Sequence, residues 1–294
     1  MKYLAGFTCY YPTLVHYYNI LECSTRFDMV LVYDNSETNN DIVENIKKIN
    51  NVIYLSDKKN RGLSIAYNRM IIEARKYSAD FLCLLDQDSM FKKQEIEKMI
   101  YAIEKFHLDS FSNVGIFAPQ IVFNNQDKYN NFCGSTLIYK IKSRIRRNDN
   151  NSWREELWVI NAGTFINLNN NRNLYDENYF IDRIDADYCM MIKRNGLKIY
   201  VYKGAILSQC LGELNGKAHT NHSVIRHYYM FRDRFYFNNK YYKGYIKILR
   251  NVIQMVRHIF LILIYEEKKI IKLKIAVKAC KDYKHGVKGK GEIN

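Results

Sequence analysis

Short apolar segments alternate with amphipathic ones along the first third of the chain. Helical spacing of apolar residues is clearest after Gly62, and helices are also predicted over Leu14–Ser24, Asp41–Ile49 and Gln94–Phe106. The segments between them predict four strands, "YLAGFTC", "DMVLVYDNS", "NVIYLSD" and "ADFLCLLD". Strands that alternate with helices predict an α/β fold of doubly wound type, with a mostly parallel sheet and flanking helices.

The pattern changes beyond the fourth helix. Residues 114–167 are rich in strand-like segments but irregular, and they include the polar, charged loop "KSRIRRNDNNSWREE". The segment "YFIDRIDADYCMMIKRNG" starts with acids and continues as a helix, which Gly196 is expected to end. After the strand "LKIYVY" the chain is helical and basic to its end, so we expect a basic helical C-terminal extension.

Composition indicates a globular protein with a sizeable core. Of the 294 residues, 48% are hydrophobic and 26% are charged. The seven cysteines are scattered and lack metal-binding spacing, which predicts reduced, mostly buried thiols and excludes a disulfide framework. No signal peptide is predicted, and the late apolar run Ile259–Tyr265 is far shorter than the ~20 residues of a membrane span, so no span is expected.

The net charge of +15 is concentrated near the end of the sequence. From Arg226 onwards there are 17 Lys and Arg against 5 Asp and Glu, which places +12 of the charge in the last quarter. Such a segment favours a polyanionic partner, and both nucleic acid and an anionic membrane surface are candidates.

Two acids, Asp86 and Asp88, directly follow the fourth predicted strand. Ligands of doubly wound sheets bind beyond the carboxyl ends of the strands, where Asp34 also lies. Carboxylates at i and i+2 can face one cation, and Mg²⁺ or Mn²⁺ prefers such oxygen ligands. The alternative is that Ser89 or Asp88 caps the following helix.

Three further acids, Asp182, Asp185 and Asp187, open the acid-rich helix. One of them could be a general base that takes a proton from an attacking hydroxyl. Acids are also favoured at a helix N-terminus by the helix dipole, so capping remains the alternative.

Two more segments have both a functional and a structural interpretation. Asn60 and Gly62 lie at a predicted helix start, where an anion can bind, but the same residues are common in turns. "IRHYYMFRDRFYF", which contains Arg226, mixes arginines with aromatic residues and fits either base stacking or a core helix. The sequence has no P-loop, G-x-S-x-G, H-E-x-x-H or G-x-G-x-x-G motif, which excludes several enzyme classes.

Taken in order, several segments resemble the inverting glycosyltransferases of family 2, which have the GT-A fold, and especially their rhamnosyltransferase-like branch in bacterial polysaccharide synthesis. They are "YYP", "VYDNSE", "KNRGLSIAYN", "LLDQDS", "NAGTFINL", "YFIDRIDADYCMMIKRNG", "RHYYMFRD" and "KDYKHGVKGKG". The resemblance implies a GT-A catalytic domain over residues 1–222 and a basic helical region over residues 223–294. Within the catalytic domain it implies a nucleotide-sugar half at about 1–110 and an acceptor half at about 111–222.

The resemblance also implies roles for particular residues. The D-x-D pair, Asp86 and Asp88, would hold Mn²⁺ or Mg²⁺ on the donor diphosphate, and Asp185 would be the general base. Nucleotide-sugar contacts would come from Thr8, Asp34, Asn60, Gly62, Asp86 and Arg226, with Asp182 and Asp187 on the acceptor side.

One position departs from the family pattern. Where the family often has a metal-binding histidine in an H-x-x-G motif, this sequence has Gln209. An amide oxygen can still bind a hard cation, so Gln209 would be the third metal ligand, with His219 or His222 as alternatives.

The resemblance implies inverting, metal-dependent transfer of a sugar from a nucleoside diphosphate, with dTDP-rhamnose favoured over a UDP-sugar. The acceptor would be a saccharide hydroxyl, on a lipid-linked molecule or an oligosaccharide, in surface or capsular polysaccharide synthesis. The enzyme would then be cytoplasmic and peripheral on the inner face of the membrane, held there by its basic region, whose apolar face could equally pack on the catalytic domain. Two alternatives are a catalytically inactive nucleotide-sugar-binding module and, less favoured, a nucleic-acid-binding protein.

Overall fold

A computed structural model of the chain describes residues 1–38, 40–106, 111–123, 152–209, 214–215, 219–220 and 222–293. The strands are β1 Tyr3–Cys9, β2 Met29–Asp34, β3 Val52–Ser56, β4 Phe81–Asp86, β5 Ser89–Met90, β6 Val114–Phe123, β7 Trp153–Glu156, β8 Thr164–Asn167, β9 Lys198–Gln209, β10 Leu214–Asn215 and β11 His219–Thr220. The helices are α1 Leu14–Ser24, α2 Asp41–Lys47, α3 Leu63–Lys76, α4 Lys93–Glu104, α5 Ile184–Arg194, α6 Val224–Tyr241, α7 Gly244–Tyr265 and α8 Lys269–Lys284.

The predicted mostly parallel sheet is confirmed. Strands β3, β2, β1 and β4 pair in that order and are all parallel, as short apolar strands joined through helices require. The sheet continues through β8, β6, β9 and β5, where β8 and β5 run antiparallel to their neighbours. The predicted helices between the strands are also present, with ends within two residues of the expected ones.

The register of the central strands aligns the acidic strand ends. Cys9 on β1 lies opposite Asp34 on β2, and Thr8 on β1 lies opposite Asp86 on β4. Every residue of β1 is buried, and in β2 and β4 only the end residues Met29 and Asp86 are partly exposed. Polar side chains therefore collect where β1, β2 and β4 finish.

One glycine in the central strand allows a helix to approach closely. A Cβ atom at Gly6 would lie 2.9 Å from the Met70 sulfur and 3.2 Å from a Leu82 methyl. Met70 belongs to the apolar stripe that predicted α3, and Ala66, Ile71 and Ala74 of that stripe are also buried. A residue larger than glycine at position 6 would displace these apolar side chains of α3.

The described chain forms two compact units. Unit 1 comprises residues 1–61, 65–175 and 188–210 and contains the large sheet with most of its helices. Unit 2 comprises residues 62–64, 176–187 and 211–294. The predicted end of the catalytic domain at residue 222 thus falls inside the last segment of unit 2, and the predicted division near residue 110 stays a prediction.

The core of unit 2 forms among helices α6, α7 and α8. Its buried apolar side chains are Phe180, Tyr228, Tyr229, Phe231, Ile262, Ile275, Ala276 and Ala279. The arginine- and tyrosine-rich segment of α6 supplies much of this core, so it is a core helix here and not an exposed stacking surface. Arg232, which is completely buried, pairs with Asp233 at 2.8 Å and lies over the rings of Tyr228 and Tyr229.

The expectation that no segment is long enough to cross a membrane is wrong for α7. This helix of 22 residues is long and apolar enough to span a bilayer by length and composition alone, and little of it is buried. The sequence prediction counted only its uninterrupted apolar run, whereas a helix with scattered polar residues can reach the same length.

Candidate active site

The turn after β4 carries the D-x-D pair and is firmly held. Asp86 ends β4, Gln87 and Asp88 form the turn, and Ser89 begins β5. The backbone N–H of Tyr10 donates to Gln87 Oε1 at 2.8 Å, and the Asn19 amide donates to the Gln87 carbonyl oxygen at 3.2 Å. The turn is thereby tied to the start of the β1–α1 connection and to helix α1.

The alternative that this turn caps α4 is not found. Lys92 is the N-cap residue of α4, and no side chain of the described chain caps that position. The Ser89 hydroxyl instead accepts a hydrogen bond from the Asp86 backbone N–H at 3.1 Å. The acids of the turn therefore need another explanation than helix capping.

Gln209 lies beside Asp86. The antiparallel pairing of β5 with β9 puts Ser89 opposite Gln209. The Gln209 amide nitrogen then donates to Asp86 Oδ2 at 2.9 Å, and the Tyr67 hydroxyl reaches Asp86 Oδ1 at 3.3 Å. Two residues that are 123 positions apart in sequence are in direct contact.

The donor set fits a hard divalent cation. Gln209 Oε1 is buried and has no hydrogen-bond partner among the residues that the structure describes. A buried acceptor without a donor is costly, and a cation is one group that satisfies it. In the described ranges no three His, Cys, Asp or Glu side chains form a metal cluster, so a site here would combine Asp86 and Asp88 with an amide oxygen.

Asp88 faces a mixed environment. Burial raises the pKa of the Asp88 carboxyl, while the nearby His16 ring acts in the opposite direction. Burial likewise lowers the pKa of His16, with Asp88 opposing it. A partly buried carboxylate at a strand end is an unfavourable group that a bound cation would stabilise.

Asp34 is placed differently from its predicted role. Its side chain is completely buried; Oδ1 accepts from the Ser36 N–H and hydroxyl at 2.9 and 2.6 Å, and Oδ2 accepts from the Tyr54 hydroxyl at 2.8 Å. Direct contact between Asp34 and a nucleobase is therefore not supported, because no surface of the carboxylate is exposed. The side chain instead fixes the loop that follows β2.

Two exposed tyrosines near this loop were not among the predicted site residues. Tyr10 and Tyr11 are 46% and 42% exposed, and their ring centroids lie 4.7 Å apart in an edge-on arrangement. The Tyr11 N–H donates to the Ser36 hydroxyl at 2.6 Å, and burial raises the pKa of Tyr10 while the Asn60 side chain opposes that rise. The sequence could have indicated these two site residues, because both are aromatic and follow directly after a strand end.

The other predicted donor residues of unit 1 lie at the same sheet edge. Thr8 is 7% exposed, and its hydroxyl oxygen has no hydrogen-bond partner among the described residues. Asn60 lies in the loop before α3, where the Arg61 N–H donates to Asn35 Oδ1 at 2.9 Å. The structure thus brings together Thr8, Asn60, Asp86, Asp88 and Gln209.

In unit 2, Asp182 and Asp185 flank a strained residue. Arg183 has a positive φ of 62°, which is unusual for a residue with a long side chain. Its guanidinium lies 3.5 Å from Asp182 Oδ2, and Asp185 is partly buried in the first turn of α5. Strain of this kind persists where surrounding structure enforces it and is concentrated at functional sites.

Asp187 is built into a buried ion-pair network. It is 1% exposed; Lys240 lies 2.9 Å from one oxygen, and the Tyr179 hydroxyl donates to the other at 3.2 Å. Burial raises the pKa of Asp187, and Lys240 opposes that rise. This geometry does not support the predicted contact with an acceptor, because the carboxylate is enclosed and its partners come from within unit 2.

Gly62 and Arg226 also belong to unit 2. Gly62 has φ +81°, and a Cβ there would lie 2.6 Å from both the ring and the carbonyl oxygen of Phe180, so close packing alone requires glycine. Arg226 is partly buried in the first turn of α6, where its N–H donates to the Ser223 hydroxyl at 3.2 Å. Their roles at a nucleotide stay predictions.

The two histidines named as alternatives to Gln209 stay predictions as metal ligands. The side chain of His219 lies outside the described residues. His222 donates its backbone N–H to Glu266 at 3.3 Å, within unit 2.

The chain is similar to a known protein family and to a named relative. Residues 18–199 match the family model described as Glycosyl transferase family 2. The chain is 24% identical to "dTDP-rhamnosyl transferase RfbF" of Shigella flexneri over 283 residues, which cover 94% of this chain and 92% of that protein.

Solved structures show the same fold. S. aureus TarS 1-349 in complex with UDP-GlcNAc superposes with a TM-score of 0.57 at 14% identity, over 98% of this chain and 82% of that one. GalNAc-T7 with UDP, GalNAc and Mn²⁺ superposes with a TM-score of 0.55 at 14% identity, over 74% of this chain and 45% of that one. These neighbours are GT-A glycosyltransferases, so the predicted GT-A fold is confirmed.

Proposed function

Because the chain belongs to glycosyl transferase family 2, we propose that it transfers rhamnose from dTDP-rhamnose to a saccharide hydroxyl, with inversion and with the help of Mg²⁺ or Mn²⁺. The observation that carries the metal part of this proposal is the contact between Gln209 and Asp86 at the end of β4. The preference for dTDP-rhamnose rests on the named activity of the Shigella flexneri relative. The acceptor proposed is lipid-linked or an oligosaccharide of a surface polysaccharide.

The donor is assigned to the edge of the sheet in unit 1. Asp86, Asp88 and Gln209 would hold the cation, which when bound supplies positive charge for the departing diphosphate. The exposed rings of Tyr10 and Tyr11 offer apolar faces for a nucleobase, since every base can stack on an aromatic ring. Asp34 stabilises this edge, because it accepts a hydrogen bond from the Ser36 hydroxyl, which itself accepts one from the Tyr11 N–H.

Asp185 remains the proposed general base. A carboxylate in this role takes the proton from the acceptor hydroxyl as its oxygen bonds to the anomeric carbon and the bond to the diphosphate breaks. Asp185 is favoured over Asp187, because the Asp187 carboxylate is enclosed by Lys240 and Tyr179. Asp182 stays the proposed acceptor-side neighbour.

A transfer assay on purified protein tests the proposal. Release of dTDP from dTDP-rhamnose, and of UDP from UDP-sugars, is measured with Mg²⁺, Mn²⁺ or a chelator in the presence of membrane-extracted acceptors. We expect dTDP-rhamnose to be the best donor and the chelator to remove activity. Faster turnover of a UDP-sugar would overturn the donor assignment, and full activity in chelator would overturn the metal assignment.

Two variants separate the assigned roles. Asp185→Asn is expected to lower the transfer rate by about a hundredfold or more, because proton transfer to a positioned base contributes that much. Asp187→Asn serves as its comparison and is expected to reduce the thermal stability instead. If Asp185→Asn keeps wild-type turnover, Asp185 is not the base.

The alternatives gain no support from the described residues. A nucleic-acid-binding role relied on the net charge of +15 and on the arginine- and aromatic-rich segment of α6, and of these the segment is a core helix, with Tyr228, Tyr229 and Arg232 buried in unit 2. A catalytically inactive binding module would bind dTDP-rhamnose without releasing dTDP, so the same assay distinguishes it.

A further inference from the structure

Helix α7 presents two opposite faces of different character. Side chains on one face are buried or partly buried against α6, including Asn251, Gln254, His258 and Ile262. The other face is apolar and exposed to between 47% and 62%; it consists chiefly of Ile248, Val252, Ile253, Val256, Phe260 and Leu263. These six residues recur at helical spacing along four turns, and we call them the α7 outer face. A contiguous apolar stripe of this length is unusual on a protein surface and indicates a binding surface.

The other side of α7 is bonded to polar groups. The Asn238 amide nitrogen donates to Asn251 Oδ1 at 2.7 Å and to Gln254 Oε1 at 3.0 Å. Arg234 donates to the Gln254 carbonyl oxygen at 3.0 Å. These contacts hold α7 along α6 with a defined face outward.

The lysines of the neighbouring helix α8 exclude insertion of α7 and α8 into a bilayer as a helical hairpin. Helix α8 carries six lysines among its 16 residues, at positions 269, 272, 274, 278, 281 and 284. Placing these charges in hydrocarbon would cost far more than the apolar face of α7 returns. Although α7 is long enough to span a bilayer, its attachment to α6 and α8 therefore favours a position parallel to a membrane surface.

Basic residues lie at the edge and beyond the ends of the α7 outer face. Arg250 and Arg257 lie at its edge by helical spacing, and Lys243, Lys268 and Lys269 lie beyond the two ends of α7. Arg257 and the three lysines are exposed. An apolar stripe edged by cations is the pattern of a helix that enters the interface of an anionic bilayer.

We propose that the α7 outer face docks in the plane of an anionic lipid bilayer, with its apolar side chains among the acyl chains and its basic edge at the phosphates. A second copy of this chain would also cover apolar surface, but it would bring the same positive edge against itself. The lipid surface complements both the apolar and the charged parts of the face. This inference does not rest on the sugar-transfer reaction and concerns binding alone.

Vesicle flotation of the full chain tests the docking surface, in the absence of any sugar donor. The vesicles are pure phosphatidylcholine or phosphatidylcholine mixed with phosphatidylglycerol. We expect the protein to float with the anionic vesicles at low salt, to float less at high salt, and to stay largely unbound with the neutral ones. Equal binding to both lipids, or none to either, would overturn the proposal.

A triple variant identifies the surface. Ile253→Ser, Val256→Ser and Phe260→Ser together are expected to reduce flotation at least about tenfold, because each exposed apolar side chain contributes to partition. The matched control replaces exposed apolar residues elsewhere, Ile72→Ser and Tyr101→Ser, and is expected to float like wild type. Circular dichroism and the thermal midpoint check that both variants fold.

Sedimentation equilibrium without lipid tests whether a second copy of the chain, and not a bilayer, covers the α7 outer face. If the wild-type chain is a dimer that the triple variant converts to a monomer, and neither floats, the outer face binds a second copy and the lipid proposal is wrong. If the triple variant folds and floats like wild type, the membrane contact lies elsewhere and the proposal is also wrong.

Discussion

At the scale of single residues, Gln209 shows how tertiary pairing brings a proposed metal ligand to Asp86. Its position at the end of β9 is set by the pairing with β5, and its amide nitrogen already contacts Asp86 at 2.9 Å. The amide oxygen is left without a hydrogen-bond partner among the described residues. The residue that departs from the family pattern is therefore in direct contact with the first acid of the proposed metal site.

Replacing this amide with imidazole should change the metal preference. Gln209→His is expected to lower the Mn²⁺ concentration needed for donor binding several-fold while changing the Mg²⁺ requirement little, because imidazole is a better ligand for Mn²⁺ than for Mg²⁺. Calorimetric titration of dTDP-rhamnose at graded metal concentrations measures this. Gln94→His on the exposed surface of α4 is the control. An identical metal response in both variants would exclude Gln209 from the metal shell.

A second single-residue test concerns Gly62. Gly62 and Gly196 have nearly the same positive φ, +81° and +77°, but only Gly62 has a neighbour where a Cβ would be placed. Gly196→Ala is expected to lower the unfolding free energy by about 1–2 kcal/mol, the usual cost of this backbone conformation. Gly62→Ala should cost clearly more, because its Cβ would also overlap Phe180. Urea unfolding measures both, and equal losses would mean that Phe180 moves aside freely.

At the scale of elements, much of the fold could be predicted from periodicity. The strands that end in Asp34 and Asp86, and the helix after Gly62, follow directly from apolar spacing, and their parallel pairing follows from the alternation. The order of the sheet beyond β4 could not be predicted in this way, because β8 and β6 pair through contacts that no local pattern encodes.

The site was predicted less completely than the fold. Motif position was enough to propose Asp86 and Asp88, whereas the contact between Asp86 and Gln209 depends on the β5–β9 pairing. An acidic residue type alone was not enough to predict the roles of Asp34 and Asp187, since burial decides which groups a carboxylate can contact. Both are enclosed by hydrogen bonds that only the tertiary structure provides.

The contact between α6 and α7 includes a pair of buried histidines with a consequence for pH. His227 Nδ1 lies 3.0 Å from His258 Nε2. Burial lowers the pKa of His227 to about 4, against the attraction of Glu266, and that of His258 to about 3, with Arg234 adding to the decrease. Lys272, His222 and Arg183 are the other charged or titratable groups that act on the pair.

These pKa values predict how stability changes with pH. The unfolded chain binds protons on both histidines as pH falls through about 6.5, whereas the folded chain does not until about pH 4. The stability contribution of the neutral pair is therefore fully present above about pH 7 and declines between pH 6.5 and 4. Asp233, whose pKa burial raises to about 7, acts in the opposite direction over this range.

Comparison with a variant isolates the histidine contribution. We expect His258→Gln to be less stable than wild type at pH 7.5, and expect this difference in unfolding free energy to shrink steadily towards pH 5. Asp233 contributes equally to both proteins and cancels. Urea unfolding at graded pH measures the difference, and a difference that stays constant or grows on acidification would show that His258 is protonated in the folded chain.

At the scale of the whole molecule, the charge and the chemistry are divided between regions. The acids of the donor edge, Asp86 and Asp88, belong to unit 1, whereas most of the +15 charge lies in the helical region after Arg226. This division fits an enzyme that binds a metal–diphosphate at one place and a polyanionic surface at another. The second role is open to test without the first, since lipid binding requires no donor.

We expect a divalent cation on Asp86 and Asp88 to hold the sugar nucleotide, and calorimetric titration of dTDP-rhamnose measures whether it does. Wild type and Asp185→Asn are expected to bind the donor equally well with Mn²⁺ or Mg²⁺ and at least about tenfold more weakly in chelator. Asp88→Asn should bind weakly in all conditions. Donor affinity that is the same with and without divalent cation, or unchanged in Asp88→Asn, would show that a cation at these acids does not hold the donor.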